Sequence, residues 1–293
     1  MDVSIIIVTY NTLKLTSECI DSIVKKTDGI SYEIILVDNM STDGSKDFYE
    51  NDKRIKKYIY NKKNYGFGVA NNIGMLNASG KYFFLLNSDT LLINNAVKSF
   101  YDYAESHSNK AIYGCYLVDG EGNYNLSYFD FPAFTILEFI KSRFFKKPEA
   151  IDYSIRKVQA ITGADLFISR SIIKQCGGFD ANIFLYGEES ELQYRMKKEG
   201  IDRVVLPMPK IIHLGKQSMT PSLLKQVNSM GSSFVVQKLH MKPLTYKLSR
   251  FYYAVNYTIR SLVPFLLGRE GHKQRLKTAF MPIKLKDSNI YIL

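Results

Sequence analysis

Apolar runs of strand length alternate with polar, turn-forming stretches through the first 90 residues of the chain. Residues 3–8 (Val-Ser-Ile-Ile-Ile-Val) form a β-branched run, and 33–37 (Glu-Ile-Ile-Leu-Val) and 82–86 (Tyr-Phe-Phe-Leu-Leu) repeat the pattern. Continuous rather than alternating hydrophobicity suits strands covered on both faces, as in a parallel sheet. Residues 55–60 alternate more weakly and predict an edge strand. Between these runs, 13–25 and 69–76 carry apolar residues at helical spacing, with Leu15, Cys19, Ser22 and Ile23 on one stripe. Ser41-Thr42-Asp43-Gly44-Ser45 adds a polar turn and a helix start, so four strands and three helices alternate as β-α-β-α-β-α-β. Right-handed crossovers then predict one doubly wound, mostly parallel α/β sheet flanked by helices.

Each predicted strand ends in polar residues. Thr9-Tyr10-Asn11 closes the first, Asp38-Asn39 the second and Asn87-Ser88-Asp89 the fourth. In open α/β sheets the carboxyl edge is where ligands bind, so convergence of these three ends is the geometry expected of a nucleotide site. No Gly-x-Gly-x-x-Gly follows the first strand and no P-loop occurs, which excludes the usual dinucleotide and triphosphate cradles.

The later chain is less regular. Residues 111–131 predict short strands with turns at Asp119-Gly120 and Glu121-Gly122. Residues 132–157 are basic, aromatic and loop-like, and are expected to form a flap over the site. A helix is expected from Glu188 to near Gly200, and two short strands at 204–206 and 210–213. Charge divides the chain further. Residues 221–293 hold 12 Lys and Arg against 2 Asp and Glu, a net of +10 out of +11 for the whole chain. The expected organisation is a catalytic domain over 1–220 and a basic, helical C-terminal extension over 221–293. Cys19, Cys115 and Cys176 lack CxxC spacing and predict reduced core thiols of a cytosolic protein. Asp2 and the strand that follows it are not expected to form a signal peptide.

The ordered set VSIIIVTYN, ILVDNMSTDGS, NYGFGVANNIG, YFFLLNSDT, ITGADLFISR, GGFDANIFLYGEESELQYR and IIHLGKQS resembles the bacterial family 2 glycosyltransferases. Within them it is most similar to rhamnosyltransferase-like enzymes of cell-surface polysaccharide assembly. The resemblance covers residues 3 to about 220 and implies a GT-A fold. It also implies inverting transfer of a sugar from a nucleoside diphosphate donor to a glycan or polyprenyl-linked acceptor. A divalent cation, Mg²⁺ or Mn²⁺, would neutralise the donor diphosphate with few protein ligands.

The resemblance carries over to individual positions. Asp89 is the expected metal ligand, although the first acid of the family's DxD motif is replaced here by Asn87. His213 falls where related enzymes place a second ligand; a strand-end His bonded to backbone is the alternative. Glu189, the second member of the acidic pair Glu188-Glu189, is the expected general base. The family's usual residue there is Asp, and the longer side chain leaves Glu188 in contention. A carboxylate only accepts hydrogen bonds, so Asp38 facing the ring N–H of uracil or thymine would favour UDP- or dTDP-sugars, dTDP-rhamnose among them. It could instead cap the following helix. Thr9, Tyr10, Asn11 and Asn39 would line the same base pocket. Asn64, Gly66, Asn71 and Asn72 would touch ribose or phosphate, or else serve as turn and cap residues. Asn87, Ser88, Gly163 and Ala164 complete the expected substrate contacts. Glu191 and Arg195 are spaced for a surface or structural ion pair.

The tail has apolar helical spacing over 223–240 and 246–267, interrupted by Pro243 and Pro264. Its basic and aromatic composition suits helices lying on an anionic membrane surface; a cap packed on the catalytic domain is the alternative. Nucleic acid is not an expected partner, because no RNP-like aromatic strand occurs. The expected location is the cytoplasm, peripheral on the inner face of the cell membrane. Two other functions compete with this one. A non-catalytic member of the same fold would explain Asn87 and the Glu at 189. A nucleotidyltransferase would need a glycine- and Arg/Lys-rich loop after the first strand, which is missing.

Overall fold

The computed structural model describes residues 1–107, 110–135, 138, 151–215 and 222–266. The β-branched and aromatic runs become the central strands β1 (Val3–Thr9), β2 (Tyr32–Asp38) and β4 (Tyr82–Asn87), with β3 (Lys57–Tyr60) outside them. Helices α1 (Leu13–Lys26), α2 (Ser45–Tyr49) and α3 (Phe67–Leu76) make the crossovers. Beyond β4 come β5 (Thr90–Leu92), α4 (Ala96–Ser106), β6 (Ala111–Cys115), β7 (Tyr128–Phe129), β8 (Arg156–Lys157), β9 (Ala160–Ile161) and β10 (Asp165–Ser169). Next are α5 (Arg170–Cys176), α6 (Glu188–Lys198), β11 (Asp202–Leu206) and β12 (Ile211–His213). Helices α7 (Ser222–His240) and α8 (Pro243–Leu266) end the described chain. Neither β5 nor α4 has a counterpart among the sequence expectations.

Among the described residues the main sheet runs β3-β2-β1-β4-β10-β6-β11-β8. The four leading strands are parallel, and β10 enters antiparallel between β4 and β6. Strand β1 pairs with both β2 and β4, so the winding reverses there. That reversal opens the crevice in which α/β sheets hold ligands, and it lies at Thr9 and Asn87–Asp89.

Strand alternation sends side chains to two cores. Val3, Ile5, Ile7 and Phe84 pack with Cys19, Ile20 and Ile23 of α1 and with Val97 and Phe100 of α4. Ile6, Ile35, Val37 and Leu85 pack on the other face with Ala70 of α3, Ile172 of α5, and Leu192 and Met196 of α6. All of these are buried, and each large aliphatic contributes about 1.5–3 kcal/mol by leaving water. Cys19 and Cys115 are buried thiols as expected, but Cys176 at the end of α5 is only half-buried.

The chain divides into two compact units. The first comprises residues 1–131, 151–181 and 189–219; the second comprises 132–150, 182–188 and 220–293. Two segments inside the expected catalytic domain thus belong with the C-terminal unit. In that unit α7 and α8 pack as a hairpin. Phe234 meets Tyr253 edge-on at 5.7 Å, the Arg250 guanidinium lies 4.7 Å over the Phe234 ring, and Ser249 donates to Gln237 Oε1 at 2.7 Å. Pro243 does not interrupt a helix; it starts α8, where its missing N–H costs nothing. Helix α8 also runs through Pro264. Of the expected flap, 136–137 and 139–150 lie outside the described residues, while Arg156–Lys157 are not loop but β8, paired with β11.

Candidate functional site

The end of β1 is tied to the end of β4 by hydroxyls. Thr9 Oγ1 is fully buried, 3.0 Å from Thr12 Oγ1 and 2.8 Å from Thr16 Oγ1. Thr12 Oγ1 reaches Ser88 Oγ at 3.2 Å. Thr9 therefore braces the crevice from beneath, and Thr12, which the sequence reading did not single out, joins its two sides. Tyr10 is 43% exposed and is the aromatic open to a ligand at this edge. Asn11 takes the left-handed conformation (φ 53°), which Asn tolerates better than most residues. Its N–H donates to Ser41 Oγ at 2.9 Å and its Oδ1 accepts from Thr42 N–H at 2.7 Å. The loops after β1 and β2 are thereby joined.

Several residues expected at the substrate site are hydrogen-bonded within the protein. Asp38 is fully buried: Oδ1 accepts from Ser41 N–H and Oδ2 from the Tyr58 hydroxyl, both at 2.7 Å. Burial, and then the hydrogen bond to Asp38, push the Tyr58 phenol well above its ordinary pKa, so it stays a donor. These bonds shape the turn after β2 and give Asp38 no part in capping α2, whose N-cap is Gly44 without a side-chain bond. Asn39 is also buried, donating to Gly66 O at 3.1 Å and accepting from Asn61 Nδ2 at 2.8 Å. Asn64 Oδ1 accepts from Gly66 N–H at 2.9 Å, which shapes the turn into α3. Asn71 donates back to Phe67 O at 3.0 Å. Asn72 bonds both the N–H (2.9 Å) and the carbonyl (2.8 Å) of Phe179. It fastens α3 to the turn after α5, and a β-carbon on Gly178 would collide with it. Asn71 and Asn72 thus serve helix and turn packing, the alternative that the sequence left open beside a ribose or phosphate contact.

Asp89 and His213 do meet. Strand β12 pairs antiparallel with β5, placing His213 opposite Thr90, and Leu214 N–H donates to Asp89 O at 2.9 Å. His213 Nε2 then stands 3.3 Å from Asp89 Oδ1. Two donors at right angles on an octahedral ion, each about 2.1 Å away, would be roughly 3 Å apart. The pair therefore fits a divalent cation that takes its other ligands from phosphate oxygens and water. Among the described residues no cluster of three or more His, Cys, Asp or Glu could hold a metal alone. Burial works to lower the His213 pKa, but the hydrogen bond and charge of Asp89 and the charge of Asp165 prevail, so it is raised.

Asp165 was not anticipated as a site residue. It is a carboxylate inside the apolar strand β10, fully buried, with Oδ2 accepting from Cys115 N–H at 2.6 Å. Its Oδ1 has no hydrogen-bond partner. Burial raises its pKa to about 7. The signal in the sequence was a charged residue within Ala164-Asp165-Leu166-Phe167-Ile168.

The acidic pair lies at the start of α6, after Tyr186 and Gly187 in succession at positive φ (66° and 112°). Such left-handed non-glycine backbone often accompanies functional sites. Glu188 is 3% exposed, whereas Glu189 is half-buried, so accessibility favours Glu189. Gly163 faces Glu189: a β-carbon there would lie 3.9 Å from Glu189 Cβ and 3.3 Å from the Phe67 ring. Ala164 O accepts from Asn87 N–H at 3.0 Å. The 163–164 turn thus links Glu189 to the strand end bearing Asn87, Ser88 and Asp89.

Helix α6 is held firmly. Gln193, fully buried and not anticipated, accepts from Ile161 N–H at 2.8 Å and donates to Ile161 O at 2.7 Å. Arg195 Nε bonds both Glu191 oxygens at 2.8 and 2.9 Å, and the guanidinium also reaches the carbonyls of Cys176 and Gly178. Glu191 is only 2% exposed, so this ion pair is structural rather than superficial.

The family model described as Glycosyl transferase family 2 matches residues 4–176. That span includes Asp89 and ends before Glu189 and His213. Poly(ribitol-phosphate) beta-N-acetylglucosaminyltransferase TarP of Staphylococcus aureus is 31% identical over 124 residues, covering 41% of this chain and 38% of that protein. Glycosyltransferase GlyG of Streptococcus pneumoniae is 29% identical over 131 residues, 43% of each. The poly(ribitol-phosphate) beta-glucosyltransferase of Bacillus spizizenii is 33% identical over 122 residues, 39% of this chain and 19% of that protein. The matches span less than half the length of these curated relatives. Among solved structures, GalNAc-T7 with UDP, GalNAc and Mn²⁺ superposes with a TM-score of 0.66 at 18% identity, covering 88% of this chain and 51% of that one. Mannosyltransferase PcManGT from Pyrobaculum calidifontis, in complex with GDP-Man and Mn²⁺, gives 0.58 at 14% identity, covering 96% and 84%. These likenesses establish the GT-A fold.

Proposed function

The chain belongs to glycosyl transferase family 2, and on that premise we propose that it is an inverting, metal-dependent glycosyltransferase using a nucleoside diphosphate sugar. The acceptor is a hydroxyl of a glycan or polyprenyl-linked sugar in cell-surface polysaccharide assembly. The relatives from Staphylococcus aureus and Bacillus spizizenii, named for transfer to poly(ribitol-phosphate), support a surface polymer or its precursor in that place. The observation that carries the reading is the half-buried Glu189 against the Gly163–Ala164 turn. That turn is bonded to Asn87, two positions from the Asp89–His213 pair.

In this reading the Glu189 carboxylate takes the proton of the acceptor hydroxyl as its oxygen attacks the anomeric carbon. The new glycosidic bond forms, the bond from that carbon to the diphosphate oxygen breaks, and the nucleoside diphosphate departs. One displacement with one base inverts the centre. Asp89 and His213 would hold Mg²⁺ or Mn²⁺, which neutralises charge on the diphosphate. A His donor makes Mn²⁺ the better match. The donor reading of UDP or dTDP, with dTDP-rhamnose included, rests on the resemblance to rhamnosyltransferase-like enzymes. Asp38 would read the base through an acceptor site left beside its bonds from Ser41 and Tyr58.

A non-catalytic nucleotide-sugar-binding role is the competing reading, supported by Asn87 in place of the first acid. Thermal unfolding with UDP, dTDP, GDP and CDP, each with and without Mn²⁺, followed by transfer assays with the stabilising donor, separates the two. A metal-dependent shift together with turnover abolished in Glu189→Gln is expected. Donor binding with no turnover in the unaltered protein would overturn the catalytic reading.

A further inference from the structure

Helix α8 carries an apolar stripe that the helix hairpin does not use. Leu244, Leu248, Phe251, Val255 and Ile259 are 70%, 49%, 69%, 40% and 55% exposed. Their spacing of four, three, four and four residues puts them within an arc of about 80° at 3.6 residues per turn. The other side of α8 is the packed one, where Ser249, Arg250 and Tyr253 meet α7 and Ala254 is buried. An exposed apolar row of this length marks an interaction surface.

Charge selects the occupant. No Asp or Glu occurs between Asp202 and Glu270, a stretch that contains all of α7 and α8. Exposed Lys242 and Lys247 lie at the start of α8 beside Leu244 and Leu248. Apolar residues along one face with lysines at its border are the composition of a helix lying in the plane of an anionic lipid surface. A second copy of this chain would cover the row but leave the lysines without an opposite charge, since no Asp or Glu lies on α7 or α8. An acidic protein would answer the lysines but not a bare row of five large apolar side chains. No helix among the described residues is long and apolar enough to cross a membrane, so α8 would lie on the surface.

We propose that the Leu244–Leu248–Phe251–Val255–Ile259 face of α8 docks the protein on an anionic membrane surface. This stands apart from the proposed reaction, because it is read without substrate or turnover. It would bring the chain to the same surface as a lipid-linked acceptor.

The test is flotation of the full chain with vesicles of phosphatidylcholine alone and of equal parts phosphatidylcholine and phosphatidylglycerol. The unaltered protein should float with the anionic vesicles, and raised salt should release part of it. The double substitution Leu248→Glu, Phe251→Glu should reduce flotation by about tenfold or more. Lys242→Ala with Lys247→Ala should remove the preference for anionic over neutral vesicles. All four positions are exposed, and unchanged thermal unfolding of each variant confirms that it folds. A Phe251→Ser single variant serves if the double substitution unfolds. Equal flotation of the unaltered and stripe-substituted proteins would overturn the proposal. So would a dimer in sedimentation that the stripe substitution dissociates while vesicle binding stays the same, which would assign the face to a second copy. A fall in melting temperature on stripe substitution, with neither protein floating, would assign it to this chain's own residues.

Discussion

His213 Nε2 lies 3.3 Å from Asp89 Oδ1, although the two residues come from distant parts of the chain. Pairing of the short strands β5 and β12 makes the contact, and Leu214 N–H bonded to Asp89 O locks it. Asp89→Asn is expected to abolish the Mn²⁺-dependent part of nucleotide binding, and His213→Ala to weaken it by about tenfold or more. Titration calorimetry of nucleotide with and without Mn²⁺ reads both. Equal metal dependence in all three proteins would remove the pair from metal binding.

The same contact sets a pH dependence. A protonated imidazole cannot ligate a metal, so a proton and Mn²⁺ compete for His213. Its pKa is raised on balance, because Asp89 outweighs burial. Mn²⁺ affinity should therefore already be falling with decreasing pH above the ordinary histidine range near 6.5. In His213→Gln that segment of the pH profile should flatten.

Asp165 predicts a stability profile of a definite sign. Burial raises its folded pKa to about 7, so the folded state holds the proton more tightly than the unfolded chain. The stabilisation is fully present below the unfolded value of about 3.8 and is lost as pH rises through about 7. Asp165→Asn should remove this slope, and at pH 8 should be the more stable protein, by up to about 4 kcal/mol. Urea unfolding at intervals from pH 4 to 8 measures the difference; parallel curves for the two proteins would contradict it.

Glu189→Gln keeps the shape of the side chain and removes its basicity. Turnover should fall by about 10²–10⁴-fold, while the metal-dependent shift with nucleotide persists. The same loss in Glu188→Gln, with Glu189→Gln active, would move the base by one residue.

Gln193 anchors to β9 the helix that bears Glu189, the proposed base. Gln193→Leu leaves the buried N–H and carbonyl of Ile161 unbonded, at about 1–3 kcal/mol for each group. Urea unfolding should show a loss of about 2 kcal/mol or more. Turnover should fall further than nucleotide affinity, because α6 loses its anchor to β9 rather than any donor contact.

The sequence by itself determined the parts of this protein that rest on local pattern. Continuous apolar runs at 3–8, 33–37 and 82–86 could be buried on both faces only as central strands, and they are. The order of motifs placed Asp89 at the reversal point of the sheet and the acidic pair at a helix start. Tertiary structure decided which polar side chains are bonded within the protein. Thr9, Asp38 and Asn72 look like crevice residues in the sequence, yet their hydrogen bonds go to Thr16, Tyr58 and Phe179. A polar atom leaving water must find a partner, and distant residues supplied it. The pairing of Gln193 with Ile161 was hidden for the same reason, whereas the resemblance had already set His213 beside Asp89 as a second metal ligand. Strands β5 and β9 are three residues or fewer and carry no periodic signal of their own; the neighbours they pair with define them. The exposed row on α8 was visible as helical spacing, but only packing against α7 decided which face stayed bare.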